Sequence, residues 1–282
     1  MKIRKMKKYC AMFLKYLKNS NFDKALKECK KLPDSLLSSM ALVEKGNCYL
    51  KLNKYSQAIR TYKQSIKLNN KLSEAYFNMG ITYGKLDLHK KAVINFTKVI
   101  HLEPGCAEAY HNRGNHYIDL KESSKAILDL TKAIDLNPYY IEAYGNRSIA
   151  YINEKEFEKA IDDCTKLNSF DNNAGYHNRG IAYALLQQYD NAISDFSKVI
   201  QLEPENFHAY WFRGNVFSHI KQYELAIKDY TKAIELAPVI KAGKIYESRA
   251  KSYKKIGLHE RAKIDFLKAQ ELYNPNNKII IL

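Results

Sequence analysis

Residues 107–140 read AEAYHNRGNHYIDLKESSKAILDLTKAIDLNPYY, and versions of this stretch recur along almost the whole chain of 282 residues. Its Ala126 is one of eight alanines, with Ala25, Ala58, Ala92, Ala160, Ala192, Ala226 and Ala262, separated in order by 33, 34, 34, 34, 32, 34 and 36 residues. A constant period of this size means a stack of helix-turn-helix units. With that alanine as position 20 of each unit, an aromatic falls at position 4 (Tyr76, Tyr110, Tyr144, Tyr176, Tyr210, Tyr246) and a small residue at position 8 (Gly46, Gly80, Gly114, Ser148, Gly180, Gly214, Ala250). Position 11 is aromatic throughout (Tyr16, Tyr49, Tyr83, Tyr117, Tyr151, Tyr183, Phe217, Tyr253), and position 24 is mostly bulky (Tyr62, Phe96, Leu130, Phe196, Tyr230, Phe266). Small residues at 8 and 20 let two helices approach, and large ones at 4, 11 and 24 fill the space around that contact. Pro104, Pro138, Pro204 and Pro238 at position 32 end the second helix, because proline lacks a donor and clashes with the preceding turn.

On these residues the chain resembles the tetratricopeptide repeat family over residues 6–275. The resemblance implies an all-α, right-handed superhelical solenoid of about eight units. They run from a degenerate first unit with a basic N-terminus (1–38) through 39–72, 73–106, 107–140, 141–172, 173–206, 207–242 and 243–275 to an apolar C-terminal tail (276–282). Three places depart from the pattern. Phe13 stands where the first unit should have a small residue; the segment Asn168 to Gly175 is two residues short and lacks proline; and Val239 to Gly243 carries two extra residues. The short segment predicts a shortened helix or a tighter turn, and both length changes are places for the stack to change pitch.

Hydrophobic residues at 46%, charged residues at 27% and few Gly or Pro exclude a disordered chain, and the apolar runs are too short to span a bilayer. Near the start, Lys15 interrupts the run Tyr9–Leu14 while Met6, Tyr9, Cys10, Phe13 and Leu17 share a helical face, which reads as a first repeat helix rather than a secretory signal. Five cysteines (Cys10, Cys29, Cys48, Cys106, Cys164) without paired spacing read as reduced thiols in a cytoplasmic protein.

Of the net charge of +16, residues 1–31 hold eleven Lys or Arg against two acids and residues 239–282 hold ten against four, which leaves +1 for the centre. Terminal units must keep an otherwise apolar face wet; the other reading is that the ends dock on RNA, an acidic partner or an anionic surface. The balanced centre argues against a groove that grips a long phosphate backbone. Lysine at position 26 (Lys31, Lys98, Lys132, Lys166, Lys198, Lys232, Lys268) reads as a solvated stripe.

Five units pair Arg at position 7 with Asp at position 23: Arg113 with Asp129, Arg147 with Asp163, Arg179 with Asp195, Arg213 with Asp229, and Arg249 with Asp265. Units with Met12, Lys45 or Met79 at position 7 carry Glu28, Thr61 or Asn95 instead. This matching within one chain predicts a structural, bidentate bridge between the two helices of a unit. Asp163→Ala should therefore lower the melting temperature without touching ligand affinity.

In the resembling family the first helices line the concave surface, with positions 2, 5, 6, 9, 12 and 13 facing it. Position 6 here supplies Asn78, Asn112, Asn146 and Asn178, a ladder of amides suited to the backbone of an extended peptide; the alternative is that the asparagines recur only because the units are copies. Position 5 adds His111, His177 and Trp211, and Phe212 and Asn215 lie on the same helix as Trp211, which is expected to stand partly exposed as an anchor. His208 and His219 fall near this pocket but have no metal-ligand spacing, and no metal site is expected. The family's carboxylate clamp, which grips chaperone termini, needs Lys and Arg where this chain has His111, Ala174 and Asn178, so no such binding is expected. No phosphate loop, nucleophile elbow or His-Glu metal motif appears, and no catalytic residue or cofactor is expected. The sequence thus reads as a non-enzymatic adaptor that holds an extended segment of a partner protein, with binding through the basic ends as the second reading.

Overall fold

The structure, a computed structural model, describes residues 2–31, 37–170 and 174–273. The apolar tail at 276–282 and the middle of the short segment after Asn168 lie outside the described residues, as do the side chains of Lys2 to Lys8 and of Cys10. Among the described residues there are sixteen α-helices: α1 (Lys2–Lys18), α2 (Phe22–Cys29), α3 (Ser39–Lys51), α4 (Tyr55–Leu68), α5 (Ser73–Gly84), α6 (His89–Leu102), α7 (Ala107–Asp119), α8 (Ser123–Leu136), α9 (Ile141–Asn153), α10 (Phe157–Asn168), α11 (Ala174–Leu185), α12 (Tyr189–Leu202), α13 (Phe207–His219), α14 (Tyr223–Leu236), α15 (Gly243–Lys255) and α16 (His259–Tyr273). The short segment is accompanied by a shorter second helix, α10, of 12 residues where α6, α8, α12 and α14 have 14. The two extra residues after Pro238 form part of a 3-10 turn, Val239–Lys241. None of the described helices is long and apolar enough to cross a membrane.

The chain divides into two compact regions, Met1–Asn146 and Arg147–Leu282, so the division falls inside α9 and not at either irregular spacing. Within the first region each helix from α1 to α7 packs on the next in the chain, as does each from α10 to α15 in the second, and first helices of successive units touch, as α3 does α5 and α11 does α13. The alanines at position 20 are buried to within 3%. Close approach at position 8 is strict: a Cβ on Gly46 would lie 2.4 Å from the ring of Tyr62, and one on Gly214 2.8 Å from that of Tyr230. Those two rings are fully buried, each adding roughly 1.5–3 kcal/mol by the area it removes from water.

The turn between the two helices of a unit has one form. Position 15 is left-handed in all eight units, at Ser20, Asn53, Asp87, Lys121, Lys155, Gln187, Lys221 and Gly257. The amide of the residue that follows it donates back to the carbonyl of the aromatic at position 11, as Leu88 does to Tyr83 (2.9 Å) and Gln188 to Tyr183 (2.8 Å). This is the helix-ending motif in which a left-handed residue lets the last carbonyls find donors. Gly257 is the residue type best suited to that conformation, and Asn53 and Asp87 tolerate it, so the turns at Ser20, Lys121, Lys155, Gln187 and Lys221 are held by their surroundings.

The five Arg–Asp pairs are present as paired, parallel hydrogen bonds: Nε and Nη2 of Arg113, Arg147, Arg179, Arg213 and Arg249 donate to the two carboxylate oxygens of Asp129, Asp163, Asp195, Asp229 and Asp265 at 2.7–2.9 Å. The same guanidinium reaches further than the unit. Nη1 of Arg113, Arg179, Arg213 and Arg249 donates to the hydroxyl of Thr97, Thr165, Ser197 and Thr231, each on the second helix of the preceding unit. Aromatic rings at positions 4 and 11 flank the charge, as Tyr210 and Phe217 flank Arg213 at 5.9 and 5.8 Å. Bonding to the carboxylate holds the guanidinium of Arg113, Arg179 and Arg213 above its ordinary pKa.

Candidate functional site

In the first region the asparagines do not stand free. Asn78 on α5 donates through Nδ2 to Oδ1 of Asn47 (2.9 Å), which also accepts from the Tyr62 hydroxyl (2.8 Å). Asn112 on α7 donates to the Glu108 carbonyl of its own helix (2.7 Å). Asn146 donates to Nε2 of His111 (3.0 Å), and the other ring nitrogen, Nδ1, lies 3.0 Å from the Tyr140 hydroxyl. This arrangement needs a neutral imidazole with its proton on Nδ1, and burial pushes the His111 pKa below its ordinary value. In the second region Asn178 on α11 donates to the Ser148 hydroxyl (3.2 Å). Each of the four asparagines thus spends one N–H on the scaffold, which leaves Oδ1 and the second N–H, and each side chain is half-buried.

The residues expected around Trp211 do come together in the second region. The Phe212 ring stacks on Phe196 (centroids 5.9 Å) and lies 5.4 Å from both His177 and Trp211, and His208 joins the cluster at 6.4 Å from His177 and Phe212. Burial and the neighbouring His208 push the His177 pKa down; burial and Lys241 do the same to His208. Trp211 is half-buried. Its ring packs on the core of Ala226, Tyr230, Ala233 and Ile245, and its Nε1 is buried without a hydrogen-bond partner among the described residues.

The open surface lies beside it. A groove of about 390 Å³ runs between α11, α12 and α13, lined by the apolar Ile181, Ala184, Leu185, Tyr189, Phe212 and Val216 and by the polar Asn215 and His219. Leu185 is 51% exposed, so the wall is accessible from water. Asn215 is held by the Tyr230 hydroxyl, which donates to its Oδ1 (2.9 Å), and His219 lies against Tyr189 at 5.1 Å. Two of the expected residues, Phe212 and Asn215, thus line the groove. Ile181, Ala184, Leu185, Tyr189 and Val216 were not singled out by their chemistry, since an apolar residue at helical spacing reads as core. Ile181, Ala184 and Leu185 do stand at positions 9, 12 and 13, and His219 at position 13, which the resemblance places on the concave surface.

A second cluster lies in the first region. Nδ1 of His89, at the start of α6, lies 3.2 Å from Nδ1 of His116 on α7, and Oδ2 of Asp119 lies 3.4 and 3.7 Å from these two nitrogens. These three side chains could hold a metal ion. Burial and the adjacent His89 push the His116 pKa down. Nothing in the spacing marked the cluster, because His89 is 27 residues from His116 and belongs to the preceding unit. Among the described residues Cys29, Cys48, Cys106 and Cys164 form no disulfide, and burial pushes the Cys48 thiol up to about 12 and that of Cys164 to about 11, which disfavours the thiolate in both.

Family models described as TPR repeat match residues 46–87, and models described as tetratricopeptide repeat match residues 73–106, 107–140, 141–173, 174–206, 207–240 and 243–276. The crystal structure of a MamA protein is 28% identical, with a TM-score of 0.56 over 59% of this chain and 92% of that one. A tetratricopeptide repeat protein from Parabacteroides merdae ATCC 43184 is 19% identical, with a TM-score of 0.66 over 88% of this chain and 99% of that one. YrrB, described as a TPR protein with an unusual peptide-binding site, is 21% identical, with a TM-score of 0.56 over 67% of this chain and 95% of that one. No curated protein matches the chain significantly in sequence.

Proposed function

Since the chain belongs to the tetratricopeptide repeat family, whose members generally mediate protein–protein interactions, we propose that it is a non-enzymatic scaffold that binds an extended segment of a partner protein and seats one apolar side chain of that segment between α11 and α13. The observation that carries the reading is the open, mostly apolar groove whose lining also includes Asn215 and His219. Such a groove gives affinity through a buried side chain and orientation through a few polar groups. Phe212, backed by His177 and Trp211, forms the wall, and Asn215 offers its free N–H groups to the guest backbone. Asn178 adds its Oδ1 on α11. In the first region Asn78, Asn112 and Asn146 offer the same remaining oxygen to a separate stretch of backbone, with His111 fixing Asn146.

Selection of the full chain against a displayed library of short peptides tests this. The selected peptides should share an apolar residue, their binding should change little with salt, and Leu185→Glu, which sets a charge in an accessible wall, should weaken binding about tenfold or more, or about 1.4 kcal/mol. Failure to select peptides overturns the reading. Binding that survives Leu185→Glu but falls steeply with salt also overturns it, and assigns function to the basic ends, where phosphate contacts would give that salt dependence.

A further inference from the structure

We infer that His89, His116 and Asp119 form a binding site for one divalent transition-metal ion of the zinc class, which ties α6 of one repeat to α7 of the next. The geometry is set by the scaffold. The hydrogen bond from Leu88 N–H to the Tyr83 carbonyl (2.9 Å) closes the turn and fixes His89 as the first residue of α6. His116 and Asp119, three apart on α7, share a face. Gly84 leaves the space into which the His116 ring fits: a Cβ there would lie 2.8 Å from Cε1 of that ring. Phe96 stacks on the other side of His116 at 5.9 Å, and His116 is 8% exposed.

Three electron-pair donors therefore converge, separated by 3.2, 3.4 and 3.7 Å. Atoms at these separations lie on a circle of radius about 2.0 Å, which is the length of a Zn–N or Zn–O bond, so a single ion can touch all three. Two imidazoles and one carboxylate suit Zn²⁺, Co²⁺, Ni²⁺ or Cu²⁺ and are a poor set for Mg²⁺ or Ca²⁺, which prefer oxygen. Asp119 and His89 face the solvent side, so the remaining coordination position opens to water and the ion has a route in. Because the ligands come from two repeats, the bound ion acts as a clasp between them, and folding and metal affinity are coupled.

The test is a titration of the chelator-treated full chain with Co²⁺, whose visible absorption intensifies when nitrogen ligands and low coordination replace water. The absorption should saturate at one ion per chain, Zn²⁺ should displace it and Mg²⁺ should not. His89→Ala should weaken affinity about tenfold or more, at least as much as losing an outer partner of a metal ligand does. Asp119→Asn, near-isosteric and well exposed, should do the same while leaving the circular dichroism unchanged. A spectrum that stays like that of aqueous Co²⁺, or a saturable band that neither variant weakens, would overturn the inference.

Discussion

Helices α6 and α7 in the first region and α12 and α13 in the second present the same repeat positions, yet one pair closes on a polar cluster and the other opens a groove. Position 17 of one unit and positions 10 and 13 of the next are His89, His116 and Asp119 in the first case and Tyr189, Val216 and His219 in the second. The residues at position 12 and at position 10 of the next unit differ in size between the two. Gly84 admits the His116 ring, which fills the space between helices; Ala184 faces the smaller Val216, and the space stays open. The Arg–Asp bridge does not differ, since Arg113–Asp129 and Arg213–Asp229 have almost identical geometry. What is common to both regions is scaffold, and what differs is where the proposed binding sites lie.

The largest expected effect tests the common part. Asp129→Ala, Asp163→Ala and Asp229→Ala should each cost about 3–5 kcal/mol in denaturant unfolding, because each strands a mostly buried guanidinium. Peptide affinity should be unchanged in the Asp163 variant, whose residue lies outside the groove lining. A loss below about 1 kcal/mol would place these pairs with ordinary surface ion pairs.

Position 12 sharpens the contrast. Gly84→Ala should destabilise by about 1–3 kcal/mol through overpacking against His116, whereas Ala184→Val, which extends into an open groove, should stay within about 0.5 kcal/mol and reduce peptide binding. Equal costs would mean that the two spaces are alike. A smaller effect concerns the turns: Gly257→Ala should cost about 1 kcal/mol, since no atom lies within 4 Å of the added Cβ and only the backbone at φ +81° resists it.

The smallest effect is pH dependence. His177 and His208 are pushed down by burial, with His208 and Lys241 respectively adding to the shift and Glu203 opposing it at His177. The folded chain takes up these protons less readily than the unfolded one. Their contribution to stability is complete above about pH 6.5 and is lost as the pH falls through the lowered folded-state values. His177→Phe should flatten the fall in melting temperature below that pH, and an unchanged profile would contradict the assignment.

The repeat register was legible because steric demand repeats: a missing Cβ at Gly46 or Gly80 needs a ring at Tyr62 or Phe96, and both halves stand in the sequence. The Arg–Asp bridge was legible because the two residues change together inside one chain. The third bond of Arg113, Arg179, Arg213 and Arg249, as to Thr97 or Ser197, was not, since hydroxyl residues occur in many other places. Nor were the left-handed turns, because Lys121 or Gln187 carries no mark of the conformation its surroundings impose. The asparagines were legible as a set at one repeat position, but the bonds of Asn78, Asn146 and Asn178 to Asn47, His111 and Ser148 depend on neighbours some thirty residues away. Leu185 and Ile181 were passed over because nothing chemical separates a groove wall from a core.

Hydrogen–deuterium exchange of the full chain, with and without a saturating selected peptide, tests the central claim most directly. The account predicts slowed exchange in α11 and α13, around Ile181 to Leu185 and Phe212 to His219, with α6 and α7 unchanged near His89 and His116. Protection confined to α6 and α7, or to the basic ends, would contradict it.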